Sequence, residues 1–154
     1  MSNYVIQFMG SVSSPQPTNF CMGVTSPGIN APVNLSNLSF GANTEWKADP
    51  VTGTITSAAD PTLVLSFTGT SPSNGTPLVL QQQVPGGLNQ QWNWSGNAPR
   101  IVSVNFPNFA VDDNGCTSTP GTPLQMYGTG GACQAWRFIT VAQAQEFAKS
   151  ASEK

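Results

Sequence analysis

Few side chains in this sequence are able to do chemistry. There is no histidine, which removes the commonest general base and the usual metal ligand. The carboxylates are Glu45, Asp49, Asp60, Asp112, Asp113, Glu146 and Glu153, and only Asp112 and Asp113 are close in sequence. Consecutive residues of a strand point to opposite faces, so this pair does not form the facing carboxylates of a glycosidase. A cysteine nucleophile lacks its histidine partner. No glycine-rich stretch has the strand–loop–helix setting of a phosphate loop. The expectation is a non-catalytic protein with no metal and no cofactor.

The paired aspartates sit in the stretch that organises the chain, Asn108 to Phe138. It runs from a strand-like segment through a Gly/Pro/Thr-rich turn to Gln134-Ala135-Trp136. At 154 residues the chain suits one domain with a real core. Charged residues are 8% of the total, far below the ~25% usual for globular proteins, but 38% apolar content and four tryptophans argue for packing. Fifteen glycines and thirteen prolines spread along the chain fit short strands joined by turns, hence an all-β protein.

Net charge is −2, and the five cations, Lys47, Arg100, Arg137, Lys149 and Lys154, are widely spaced. No basic patch exists for nucleic acid or an anionic membrane surface. No apolar run approaches the ~20 residues needed to cross a bilayer. The first residues, MSNYVIQFMGSVSS, lack the basic region and apolar length of a signal peptide. The expectation is a cytoplasmic protein, or one exported by another route. Sequons at Asn34, Asn37, Asn74 and Asn93 then read as chance matches. Cys21, in an apolar strand, reads as a buried small hydrophobe. Cys116 and Cys133 flank one turn region; whether they bridge stays open, and a cytosolic setting opposes it.

The chain repeats itself. Trp46, Trp92 and Trp136 recur at near-equal spacing, preceded by Thr44-Glu45, Gln90-Gln91 and Gln134-Ala135. Upstream, Ala31-Pro32-Val33-Asn34-Leu35 corresponds to Thr76-Pro77-Leu78-Val79-Leu80 and Thr122-Pro123-Leu124-Gln125-Met126. Earlier still, Asn19 to Gly23 corresponds to Thr62 to Ser66 and Asn108 to Asp112. Alternating runs at Tyr4 to Phe8, Thr54 to Ser57 and Arg100 to Val104 open the three copies. Each repeat thus holds four short strands. One unit cannot bury its apolar face alone, so three close together around a pseudo-threefold axis. The expected boundaries are repeats 4–49, 50–98 and 99–141 in one domain, 1–141. The tail, 142–154, is Ala/Gln/Glu-rich with helical spacing of Val141, Ala144, Phe147 and Ala148, which predicts a short helix docked by Phe147.

Gln-x-Trp repeated in phase, each copy led by a strand and a Gly-Thr-Pro-like turn, resembles the ricin-B-type lectins, over roughly 4–141. The resemblance implies a β-trefoil. It also implies a sugar pocket per repeat: an Asp ending the second strand, a polar residue on the third, an aromatic two residues later, and polar groups before the Trp. A carboxylate accepts bonds from vicinal hydroxyls, an aromatic offers a face to sugar C–H groups, and amides donate and accept together. In the third repeat Asp112, Gln125, Tyr127 and Gln134 occupy these positions, with Asp113 and Asn114 in the adjoining loop. Cys133 stands where Asn is common. In the second repeat Ser66 and Gln81 replace the Asp and the aromatic. In the first, Gly23, Ser36 and Thr44 replace the Asp, the aromatic and the Gln.

The resemblance therefore implies a lectin for galactose-type or mannose-type glycans acting through the third repeat, as monomer or homodimer. Size and divergent repeats also look similar to lectin-like proteins of fruiting-body mushrooms. Two rival readings remain: a sugar-inactive trefoil serving as an accessory protein-binding subunit, and a trefoil protease inhibitor. Gln90 and Gln134 have a competing structural reading as amides that satisfy backbone groups. For Asp112 the competing reading is a turn with Asn114 and Gly115. Strict alternation places Trp94 on the core face with Trp92.

Overall fold

The computed structural model describes residues 3–152, and among them the expected strands are all present. The first repeat contains β1 (Asn3–Gly10), β2 (Phe20–Val24), β3 (Val33–Asn37) and β4 (Trp46–Asp49). The second contains β5 (Thr54–Ser57), β6 (Leu63–Phe67), β7 (Leu78–Gln82) and β8 (Trp92–Asn93). The third contains β9 (Val102–Ser103), β10 (Phe109–Asp113), β11 (Leu124–Gly128) and β12 (Ala135–Thr140), followed by the helix α1 (Val141–Ser152). The fold is a β-trefoil.

Antiparallel pairing runs from β4 through β5 and β6 to β7, and from β8 through β9 and β10 to β11. β1 pairs with β2, β4 and β12, so the last repeat closes on the first. Backbone hydrogen bonds from Trp92 N to Gly53 O and from Trp136 N to Pro99 O, both 2.8 Å, tie the remaining seams. Closure covers strand edges that would otherwise present unpaired N–H and C=O groups.

The third strands show the threefold most directly. Leu80 N donates to Ala31 O, Met126 N to Thr76 O, and Leu35 N to Thr122 O, at 2.9, 2.7 and 2.8 Å. Equivalent residues of each repeat thus clasp the next in a ring. Inside the ring, Val33 and Leu35, Leu78 and Leu80, and Leu124 and Met126 are buried, as alternation requires. Trp46, Trp92 and Trp136 are buried, and the indole N–H of each donates to the equivalent carbonyl of its own second strand. Trp46 bonds Met22 O at 3.0 Å, Trp92 bonds Leu65 O at 3.0 Å, and Trp136 bonds Val111 O at 3.1 Å. A buried indole needs such a partner.

The tail forms the expected helix, with a correction to its anchor. Ala144 is fully buried against Val5, Cys21 and Ile139, whereas Phe147 is only half-buried. Thr140 and Gln143 form a reciprocal cap: Gln143 N donates to Thr140 Oγ1 and Thr140 N to Gln143 Oε1. The small side chain of Ala144 is what lets the helix backbone approach the barrel. Cys21 is a buried free thiol whose pKa burial pushes up to about 11, so it packs as a small hydrophobe.

Candidate functional site

The β10–β11 ladder assembles the third-repeat constellation. Asp112 lies opposite Gln125, and Ala110 opposite Tyr127, so Asp112, Gln125 and Tyr127 share one face of the hairpin. Gln125 Nε2 donates to Asp112 Oδ2 at 3.0 Å. Asp112 is 6% exposed, and burial raises its pKa against the opposing pull of the Gln125 and Gln134 amides. The carboxylate is therefore held in place by its neighbours rather than by an Asx turn. Tyr127 is 40% exposed at the rim of the hairpin. The result is a shallow patch with one fixed carboxylate, one carboxamide and one open aromatic face.

Asp113 and Asn114 do not join this patch. Asp113 lies on the other face of β10 and is buried. Its Oδ1 accepts a long bond from Thr117 Oγ1, 3.4 Å, and its Oδ2 is buried with no partner. Desolvation, together with the neighbouring Asp112 charge, pushes its pKa up to about 6 although Thr117 opposes the shift. Asn114 is exposed at the start of a short 3-10 turn, Asn114–Cys116, and no hydrogen bond links it to Asp112 or Gln125.

Gln134 is brought close but has another occupation. It is fully buried; Nε2 donates to Gly128 O at 2.9 Å, and Oε1 accepts from Arg100 Nε at 2.9 Å. In the second repeat Gln90 Nε2 likewise donates to Gln82 O, at 2.7 Å, and Gln90 Oε1 accepts from Val84 N at 2.8 Å. Gln82 and Gly128 hold equivalent positions, so the amide is a shared structural brace that supports the corner from beneath.

A glycine makes room for that brace. Gly41, Gly87 and Gly131 stand five residues before the three tryptophans. A Cβ on Gly131 would lie 2.6 Å from Gln134 Nε2 and 3.2 Å from Asp112 Oδ1, and one on Gly87 would lie 2.9 Å from Gln90 Oε1. A Cβ on Gly41 would meet nothing within 4 Å, because the shorter Thr44 replaces the glutamine there. Arg100 and Gly131 escaped sequence reasoning. The signals were present: a cation in a charge-poor chain, and a glycine in register with each tryptophan.

Cys116 and Cys133 form a disulfide with Cα atoms 5.4 Å apart, so the cytosolic argument against a bridge is overturned by geometry. The equivalents of Cys133 explain its presence. Asn89 Nδ2 donates to Phe67 O at 2.8 Å and Asn43 Nδ2 to Thr25 O at 3.2 Å. Each tethers the approach to the fourth strand to the turn after the second. In the third repeat a covalent bond holds the same two segments. It also secures a turn in which Gly115 and Cys116 have φ of 75° and 55°, the latter costly for a residue with a side chain.

The other two corners carry different chemistry. A Cβ on Gly23 would collide with Ser36 Oγ, and Thr44 is buried with its hydroxyl bonded to Ser39 O at 2.9 Å. In the second repeat Ser66 is buried and turned back on Val64 O, while Gln81 accepts from Asn89 at 3.0 Å. Neither corner offers a carboxylate or an aromatic ring.

Trp94 lies one residue past β8 and keeps the core contact that alternation predicts. β8 ends at Asn93, yet the ring is still partly buried and packs against the core, where it stacks on Phe138 with centroids 5.0 Å apart and planes inclined by 26°.

A family model for ricin-type beta-trefoil lectin domain-like proteins matches residues 42–127. No curated protein sequence matches the chain. Among solved structures, the designed threefold-symmetric protein ThreeFoil aligns with a TM-score of 0.73 at 22% identity, over 89% of this chain and 97% of its own. The C-half of an earthworm R-type lectin in complex with GalNAc aligns with a TM-score of 0.71 at 14% identity, over 91% and 99%. A ricin B-like lectin of Macrolepiota procera in complex with lactose aligns with a TM-score of 0.69 at 23% identity, over 90% and 95%.

Proposed function

Since the chain belongs to the ricin-type β-trefoil lectin-like family, we propose that it is a non-catalytic carbohydrate-binding protein acting through its third repeat. The observation that supports this reading is the coincidence of Asp112, Gln125 and Tyr127 on one face, with Gln125 fixing the carboxylate at 3.0 Å. Asp112 takes the vicinal hydroxyls, Tyr127 carries the apolar face of the ring, and Gln125 both fixes Asp112 and offers its carbonyl. Gln134 and Arg100 act as positioning residues from below. Asp113 and Asn114 shape the turn rather than touch the sugar.

Galactose-type sugars come first and mannose-type second. GalNAc and lactose, held by the earthworm and Macrolepiota procera proteins, both contain a galactose-configured ring. A patch with so few polar contacts binds a monosaccharide with a Kd of about 1 mM, or ~4 kcal/mol, and gains strength on clustered glycans or in a dimer. The Cys116–Cys133 bridge favours an exported protein over a cytoplasmic one.

A glycan array on the protein, on Asp112→Ala and on Tyr127→Ala tests this reading. Binding to galactose-terminated or mannose-terminated glycans that both substitutions abolish supports it. Binding to those glycans that neither substitution weakens refutes the third-repeat assignment.

A further inference from the structure

A second feature suited to sugars lies apart from the third-repeat corner and reaches the Gly87–Gln90 loop of the second repeat. The β4–β5 turn and the segment around β8 enclose a cleft of about 270 Å³ lined by Val51, Thr52, Gln91, Asn93, Trp94 and Val104 among others. A neighbouring cleft of about 320 Å³ runs on past Val84, and Val51, Thr52 and Gln91 line both. Among the described residues no charged side chain lines either one.

The donors in this groove are prepared and unused. Trp46, Trp92 and Trp136 each give their indole N–H to a carbonyl, whereas Trp94 has no such acceptor and its nitrogen is not a buried orphan. Its ring is fixed by the stack on Phe138, which Tyr4 braces edge-on at 6.3 Å. Asn93 Oδ1 accepts from Gly96 N at 3.0 Å, and Gln91 Oε1 accepts from Asn105 Nδ2 at 2.8 Å. Each carboxamide is thereby oriented by its oxygen while its NH₂ group stays available. Apolar surface continues along the groove at Val51, 92% exposed, and at Val104 and Val84, also exposed.

A rigid indole, three neutral N–H donors and no cation suit a ligand with many uncharged acceptors and an apolar face. An anion finds no counter-charge here, and a purely apolar ligand leaves the donors unpaired. We propose that this groove is a saccharide subsite separate from the third-repeat corner, taking a neutral oligosaccharide with one ring against Trp94 and the chain extending past Val51. The two adjoining clefts accommodate more than one ring, since single pockets for small ligands begin at roughly 300 Å³. The site does not depend on Asp112 or Tyr127.

That independence defines the experiment. In the Asp112→Ala/Tyr127→Ala double variant, the indole N–H resonances are followed by ¹H–¹⁵N spectra during titration with lactose, and with galacto-, manno- and gluco-oligosaccharides of two to four units. The expected result is a saturable shift of the Trp94 resonance with at least one series, the other three indoles staying still. Val51→Glu places a charge in the groove at an exposed position that the fold does not use, and on this background it weakens that binding roughly tenfold or more. The proposal is overturned if no neutral saccharide moves Trp94, or if Val51→Glu leaves the binding unchanged. It is also overturned if Trp94 shifts only with protein concentration, which marks the groove as a contact between copies. None of these results bears on binding by the intact third-repeat corner.

Discussion

The first and third repeats share one frame and differ at one corner. Both bury their tryptophan with the indole bonded to the same carbonyl of the second strand, at 3.0 and 3.1 Å. Both contribute a third strand to the hydrogen-bonded ring around the axis. At the end of the second strand one has Gly23 packed under Ser36 and the other has Asp112 held by Gln125. The residues that make a repeat are therefore separable from those that make a site. A corner can lose its carboxylate and aromatic without disturbing the ring, because neither takes part in it.

The strongest way to break this comparison is to attack what the repeats share. Trp46→Ala and Trp136→Ala should each cost about 3–5 kcal/mol, nearly equally, when measured by urea unfolding. A large inequality would show that the repeats are not equivalent supports.

The tether comes next. Cys116→Ser with Cys133→Ser removes a bridge spanning 17 residues and should lower stability by about 3 kcal/mol. Replacing Cys133 by Asn instead, in the Cys116→Ser background, should recover about 1 kcal/mol of that loss, because Asn43 and Asn89 make the equivalent tether. No recovery would mean that the amide and the disulfide are not interchangeable.

The glycines sharpen the contrast between corners. Gly131→Ala and Gly87→Ala should each destabilise by about 1–3 kcal/mol, since a new methyl displaces a buried, doubly bonded glutamine. Gly41→Ala should be neutral in the same unfolding assay.

The smallest effect concerns Asp113. Its folded pKa is pushed up to about 6, above the ~3.9 of an unfolded aspartate. The native state therefore binds the extra proton between these values, and stability falls as pH rises through that window. Asp113→Asn should stabilise the domain by about 1–2 kcal/mol at pH 7, and the advantage should vanish near pH 4 in pH-dependent unfolding curves. Sugar affinity should move the opposite way. Ionised Asp112 accepts more strongly from hydroxyls than its protonated form does, and burial raises its pKa, so acid weakens binding.

Much of the frame was legible because it is repeated. The three tryptophans, the Thr/Ala-Pro turns and the alternating aliphatics each recur, and a pattern present three times survives divergence in any one copy. The pairing of Asp112 with Gln125 was legible by position, though not the bond between them. Gln134 stayed ambiguous because a buried brace and a ligand contact call for the same side chain, and only burial separates them. The disulfide was hidden because its logic lies in Asn43 and Asn89, whose tethers are invisible until the turns are folded. Trp94 packs on the core as alternation predicts, but only partly buried, because alternation cannot report that β8 stops at Asn93. Helix periodicity nominated Phe147, but a close approach selects the smallest apolar side chain, Ala144.

The central claim is that one shared frame carries a sugar contact at only one of its three trefoil corners. Backbone ¹H–¹⁵N shifts of the intact protein during titration with lactose and with methyl mannoside test it most directly. The account predicts that shifts centre on Asp112, Gln125 and Tyr127, with none at the Gly23–Ser36 or Ser66–Gln81 corners. Shifts at either of those corners, or saturable binding that leaves Asp112 unmoved, would contradict it.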